Sequence, residues 1–116
     1  MKVIKNPVVV CFDVDATILG YDIENVDPKD VFEIGIGKQK CKCYEMKKHT
    51  QRIKNHKASN HFIVLWSGSG VEWCQAVSKQ LGLDSYVDLM LAKPKWAYDD
   101  APFVEWCKRI YLYEKK

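Results

Sequence analysis

The chain has 116 residues, enough for one core and one domain spanning 1–116 but not for two domains of ordinary size. Hydrophobic residues make up 47% and charged residues 28%, a balance that excludes a disordered polar chain. The formal charge of +3 is modest, yet the charges are segregated: seven carboxylates stand against Lys29 alone between Asp13 and Glu33, whereas Lys38, Lys40, Lys42, Lys47, Lys48, Arg52, Lys54 and Lys57 stand against Glu45 alone in the next stretch.

Neither of the two strongest apolar runs, 8–12 and 62–66, is long enough to span a bilayer, so no membrane partner is expected. The opening Met-Lys-Val-Ile-Lys-Asn-Pro has no apolar signal core. Cys11, Cys41, Cys43, Cys74 and Cys107 are odd in number and irregular in spacing, which speaks for reduced thiols and a cytoplasmic location.

In chain order, Val8-Val9-Val10-Cys11-Phe12 is continuously apolar and mostly β-branched, the pattern of a central strand buried on both faces of a parallel sheet. A polar loop follows to about Lys29, with Gly20 and Pro28 as breakers. Stretches 31–36 and 39–43 flank Gly37-Lys38, the turn of a small β-flap. Apolar positions at helical spacing, with a basic remainder, predict a surface helix over 44–58. A second buried strand is expected at 62–66. Ser69-Gly70-Val71-Glu72 then has the form of a capping box, opening a helix with Trp73, Cys74, Val77 and Leu81 on its apolar side and Gly82 at its end. Further strands are expected at 86–91, 95–98 and 108–113, the last after a short helix beginning near Pro102.

Strands alternating with helices imply a parallel sheet covered on both faces, a three-layer α/β/α fold whose ligands bind beyond the carboxyl ends of the strands. At those ends the sequence places Asp13 and Asp15, then Ser67 and Gly68, then Lys93, then Asp99 and Asp100. Clustered carboxylates repel one another unless a cation or a raised pKa neutralises them, and an all-oxygen donor set favours Mg²⁺. With a lysine and an N–H-rich turn beside them, the group suits a phosphoryl substrate bridged to the metal.

The order Phe-Asp13-Val-Asp15-Ala-Thr17, Leu-Trp-Ser67-Gly68, Lys93-Pro94 and Tyr-Asp99-Asp100 resembles the four motifs of the haloacid dehalogenase superfamily of phosphatases, and it spans nearly the whole chain. The resemblance implies a Rossmann-like core, Mg²⁺ dependence and a phosphoaspartate intermediate. It makes Asp13 the nucleophile and Asp15 the group that protonates the leaving oxygen and then activates water. Ser67 with the neighbouring Gly68 amide would hold a phosphate oxygen, Thr17 would assist in substrate binding, and Lys93 would neutralise charge. Asp13, the main-chain carbonyl of Asp15 and Asp99 would bind Mg²⁺, with Asp100 in support.

The chain departs from the family pattern in three ways. Ala16 stands where glycine is most familiar. The short interval before Asp99 leaves either Lys93 or Lys95 for the lysine role, and Lys93 is favoured. No stretch is long enough for a cap domain, so substrate selection falls to the flap, to a partner subunit in a homo-oligomer or to the substrate itself.

Other readings are weaker. A receiver-type signalling domain would carry its lysine after the last carboxylate, whereas Lys93 precedes Asp99 and Asp100. Cys41, Cys43, His49 and His56 lack the spacing of a zinc site. Trp66, Trp73, Trp96 and Trp106 read as core residues rather than a base-stacking platform. The expected function is phosphomonoester hydrolysis, with the basic stretch 38–57 guiding a phosphorylated nucleic-acid end or a nucleotide to the site. The alternative is a catalytically weak anion- or nucleic-acid-binding module on the same fold.

Overall fold

The structure, a computed structural model, describes residues 7–108 and 110. In chain order the elements are β1 (Val9–Asp13), β2 (Leu19–Gly20), β3 (Val31–Ile36), β4 (Gln39–Glu45), α1 (Lys47–Ala58), β5 (Phe62–Ser67), α2 (Val71–Gln80), β6 (Leu89–Ala92) and the short α3 (Phe103–Trp106). They form a small α/β fold with a parallel sheet in the order β1-β5-β6 and an antiparallel sheet in the order β2-β4-β3.

β5 is the middle strand, and its run Ile63-Val64-Leu65 is buried throughout. The core gathers alternate strand positions, Phe12 of β1 with Ile63 and Leu65 of β5, against Ile53 of α1 and Cys74 and Val77 of α2. The spacing of three between Cys74 and Val77 puts both on one side of the helix. Val14 and Ile18, from the turn after β1, and Leu19 of β2 complete the same core, so that turn is anchored rather than loose.

β1 differs from the expectation of a central strand buried on both faces. It lies at the edge of the parallel sheet as described, with Val9 56% exposed, Cys11 exposed and Phe12 buried. Both strands carry a continuous apolar run, and only the order of strands in the sheet separates an edge from a centre.

The flap forms as expected, with β3 and β4 paired from Val31↔Tyr44 to Ile36↔Gln39 and Gly37 at φ 59 in the turn. Its second strand runs further than the sequence suggested. Tyr44 and Glu45 pair with Gly20 and Leu19, so the helix expected from Tyr44 begins at Lys47. Gly20 is part of a strand rather than a loop breaker, and the Tyr44 ring opposite lies where its Cβ would be, which requires glycine there.

Two other expectations change. The segment read as a strand from Tyr86 begins with a turn, in which Tyr86 N–H donates to the Leu83 carbonyl at 2.8 Å, and the strand starts at Leu89. Residues 95–98 form no strand, and Trp96 and Tyr98 are 82% and 97% exposed. Of the strand expected at 108–113, Lys108 and Ile110 are described and are not in a strand, while Arg109 and residues 111–113 lie outside the described residues. No helix among the described residues is long and apolar enough to cross a membrane.

Leu65 is fully buried at the centre of the sheet. Leu65→Ala is expected to lower stability by about 2–5 kcal/mol, read as a reduced urea midpoint with little change in slope. Ala16 is in the left-handed region at φ 60, held there by its N–H bond to the Leu19 carbonyl at 2.9 Å. That conformation costs a residue with a Cβ roughly 1 kcal/mol, so Ala16→Gly should raise the melting temperature by about 4–8 °C.

Candidate active site

The parallel register brings the site together. Asp13 of β1 pairs with Trp66, placing it one residue short of the level of Ser67, and Ser67 pairs with Ala92 at the end of β6. Lys93 continues that ladder by donating its N–H to the Ser67 carbonyl at 2.8 Å. Asp13, Ser67 and Lys93 thus lie at the carboxyl ends of three neighbouring strands.

Lys93 Nζ is 3.9 Å from Asp13 Oδ1, and Thr17 Oγ1 is 3.4 Å from Asp13 Oδ2. It is Lys93, not Lys95, that the structure sets against Asp13. Burial pushes the Asp13 carboxyl above its ordinary value, Lys93 pulls it back, and the neighbouring Asp15 pushes it further up. Asp13 therefore has a cation to offset part of its burial.

Asp15 is held by four donors. Tyr21 Oη and Trp73 Nε1 donate to Oδ1, the indole at 2.9 Å, while Ser67 Oγ and Ser69 Oγ donate to Oδ2 at 3.1 and 3.3 Å. Ser67 Oγ in turn accepts the Ser69 N–H at 3.0 Å. Burial, followed by the bond to Asp15, raises the Tyr21 phenol far above its ordinary value, so it stays protonated as a donor.

Two of these donors were assigned other roles from the sequence. Ser69 was the expected cap of the second helix, but Gly70 is the N-cap, no side chain caps the helix, and the Ser69 hydroxyl goes to Asp15. Trp73, expected only as a core residue, is half-buried with its N–H on Asp15. Tyr21 falls in the stretch that reads as a polar loop. A tryptophan in the first turn after Ser67-Gly68-Ser69-Gly70 was the available signal, since indole can donate but cannot accept.

Gly68 is exposed beside Ser67, as a phosphate-facing main chain requires, and nothing lies within 4 Å of where its Cβ would be. Asp99 and Asp100 behave differently. They lie on the exposed stretch after Lys95, where Asp99 accepts the Ala101 N–H at 3.1 Å. Among the described residues no three His, Cys, Asp or Glu side chains stand close enough to share a metal ion, so Asp99 and Asp100 do not join Asp13 and Asp15 in such a group. This also bears on Cys41, Cys43, His49 and His56. Burial pushes the Cys43 thiol up to about 12, and His56 Nδ1 faces His61 Nδ1 at 2.9 Å.

Donor chemistry fits Mg²⁺ in part. The Asp13 carboxylate and the Asp15 main-chain carbonyl are hard oxygen donors on the first strand end, while the expected third protein ligand stands apart.

The basic stretch is less uniform than its composition suggests. Lys57 is paired with Asp88 at 2.7 Å, and Lys54 lies over the Tyr86 ring at 5.4 Å. Lys38, Lys40, Lys42, Lys47, Lys48 and Arg52 are exposed. An open hollow of about 650 Å³ beside the flap is lined by Ile23, Val26, Phe32, Glu24 and Glu33 among others, and it includes neither Asp13 nor Asp15.

No family model, no curated protein and no solved structure matches the chain, so the functional case stands on the geometry around Asp13 and Asp15 and on the motif resemblance.

Proposed function

We propose that the chain is a Mg²⁺-dependent phosphomonoester hydrolase of haloacid dehalogenase type, built on a Rossmann-like core with the flap in place of a cap. The observation that carries this reading is the approach of the Lys93 ammonium to the Asp13 carboxylate, 3.9 Å apart at the ends of β6 and β1, which flank β5 in the parallel sheet. A carboxylate beside a fixed cation, next to a hydroxyl-rich turn, is equipped to attack phosphorus and to stabilise the charge that develops.

An Asp13 oxygen forms the bond to phosphorus as the bond to the leaving oxygen breaks, and that oxygen takes its proton from Asp15. Water then attacks the aspartyl phosphate, giving a proton to Asp15 as the phosphorus–Asp13 bond breaks. The first proton arrives with the phosphate monoester monoanion and the second leaves with the product, so none is consumed. Lys93 offsets charge throughout, Thr17 orients Asp13, and Ser67 with the Gly68 amide holds a phosphate oxygen. Asp13 and the Asp15 main-chain carbonyl would hold Mg²⁺, which would supply further charge neutralisation there.

The substrate we favour is a phosphorylated nucleic-acid end. Six exposed cations between Lys38 and Arg52 lie on the flap and on the first part of α1, whose N-terminus is tied to the turn after Asp15 by the Met46 N–H bond to the Ile18 carbonyl at 2.9 Å. The five cysteines are free thiols, in keeping with a reducing cytoplasm. The separate position of Asp99 and Asp100 favours the second reading, an anion-binding module of weak activity, which would bind phosphorylated ends without turning them over.

A panel of phosphate esters with Mg²⁺ decides between the two. Asp13→Asn should reduce turnover on the order of 10³-fold or more, and EDTA should abolish it reversibly. Wild-type turnover in Asp13→Asn would eliminate the covalent route. For the substrate, kcat/KM for a 3′- or 5′-phosphorylated oligonucleotide should exceed that for a mononucleotide at low salt, and the advantage should shrink as salt rises. An equal or lower value at low salt would eliminate the nucleic-acid end as the preferred substrate.

A further inference from the structure

Asp15 makes a demand that the proposed chemistry does not explain by itself. Both of its oxygens are saturated: Oδ2 by the hydroxyls of Ser67 and Ser69, and Oδ1 by Tyr21 and Trp73. The two pairs differ in kind. The serines belong to the turn expected to receive phosphate, and their hydroxyls can turn from one acceptor to another. The indole N–H has one direction, set by a ring on α2, and Tyr21 comes from a different segment, the loop after β2. A carboxylate held only by the serines would lose its orientation whenever those hydroxyls turned to a substrate.

Resting on the phosphatase reading, we propose that Tyr21 and Trp73 are positioning residues. They keep hold of Asp15 Oδ1 while Ser67 and Ser69 leave Oδ2 for the arriving phosphate, so that Oδ2 alone faces the leaving oxygen. In the resting protein Asp15 occupies the hydroxyls that the phosphate will take, and substrate binding itself uncovers the oxygen that exchanges the proton. No bond is made or broken beyond those of the two steps above; four hydrogen bonds to Asp15 become two.

The sequence assigns neither residue to the site. The geometry does so by bringing both to the same carboxylate oxygen, one donor from the loop and one from the helix. Trp73 also packs against the core, so its replacement has to separate orientation from packing. Phenylalanine keeps much of the ring and removes the N–H, and Tyr21→Phe removes only the hydroxyl.

The test compares p-nitrophenyl phosphate, whose leaving group departs without a proton, with phenyl phosphate, whose leaving group needs one. Measurements use the full chain with Mg²⁺. Trp73→Phe and Tyr21→Phe should each lower kcat/KM for phenyl phosphate by about 10- to 100-fold, and for p-nitrophenyl phosphate by no more than about 3-fold. An equal loss on both esters would show a packing role and overturn the proposal, as would no loss on either. A second measurement needs no turnover. The Trp73 indole N–H resonance, assigned through Trp73→Phe, should lie downfield in the wild type and move upfield in Asp15→Ala, and it should stay downfield when inorganic phosphate is added to the wild type. A resonance that ignores Asp15→Ala, or that moves upfield with phosphate, overturns the clamp. If the wild type hydrolyses neither ester while the resonance behaves as stated, the phosphatase reading fails and the clamp on Asp15 stands.

Discussion

The parallel pairing of β1 with β5 is the constraint on which the site depends. It aligns two strand ends that are distant in sequence, with Asp13 opposite Trp66 and Ser67 one step beyond. Parallel registers slip at a cost, because a shift of β1 by one residue against β5 would turn Phe12 out of the core. The same burial that stabilises the sheet therefore sets the level at which the Asp13 carboxylate stands beside the serine turn. β6 extends the arrangement by delivering Lys93 next to Ser67 through a main-chain bond.

The polar groups at these strand ends are arranged as two carboxylates in different surroundings. Asp13 has one cation and one hydroxyl nearby, and its burial works against its charge. Asp15 is enclosed by donors on both oxygens. Two aspartates one residue apart thus acquire separate roles from their partners rather than from their identity, and the partners come from four segments of the chain.

What could be read in advance followed local pattern. The flap turn at Gly37-Lys38, the buried run of β5 and the helix bearing Cys74 and Val77 all carry periodic signals within a few residues, and each forms where expected. Position within the sheet was not legible, since Val-Val-Cys-Phe at an edge has the same composition as a central strand. Nor did Trp96 and Tyr98 find a buried place, although aromatic residues there favoured a strand. Asp13, Asp15, Ser67 and Lys93 were legible as a group because each ends or follows a strand. The donors to Asp15 were not, because a half-buried indole and a phenol in a loop look like packing until their N–H and O–H are traced to an acceptor.

The two sheets also differ in how far apart along the chain their partners lie, and this orders their assembly. β3 and β4 meet across a two-residue turn, a closure of the microsecond kind, whereas β1 must find β5 across the whole flap and α1. A chain still being synthesised can complete its hairpin long before the strand that completes its candidate site has left the ribosome. The residues proposed to do chemistry are therefore united by contacts whose loop-closure entropy exceeds that of the flap, and a collapsed chain lacking those contacts has a formed flap with no site beside it.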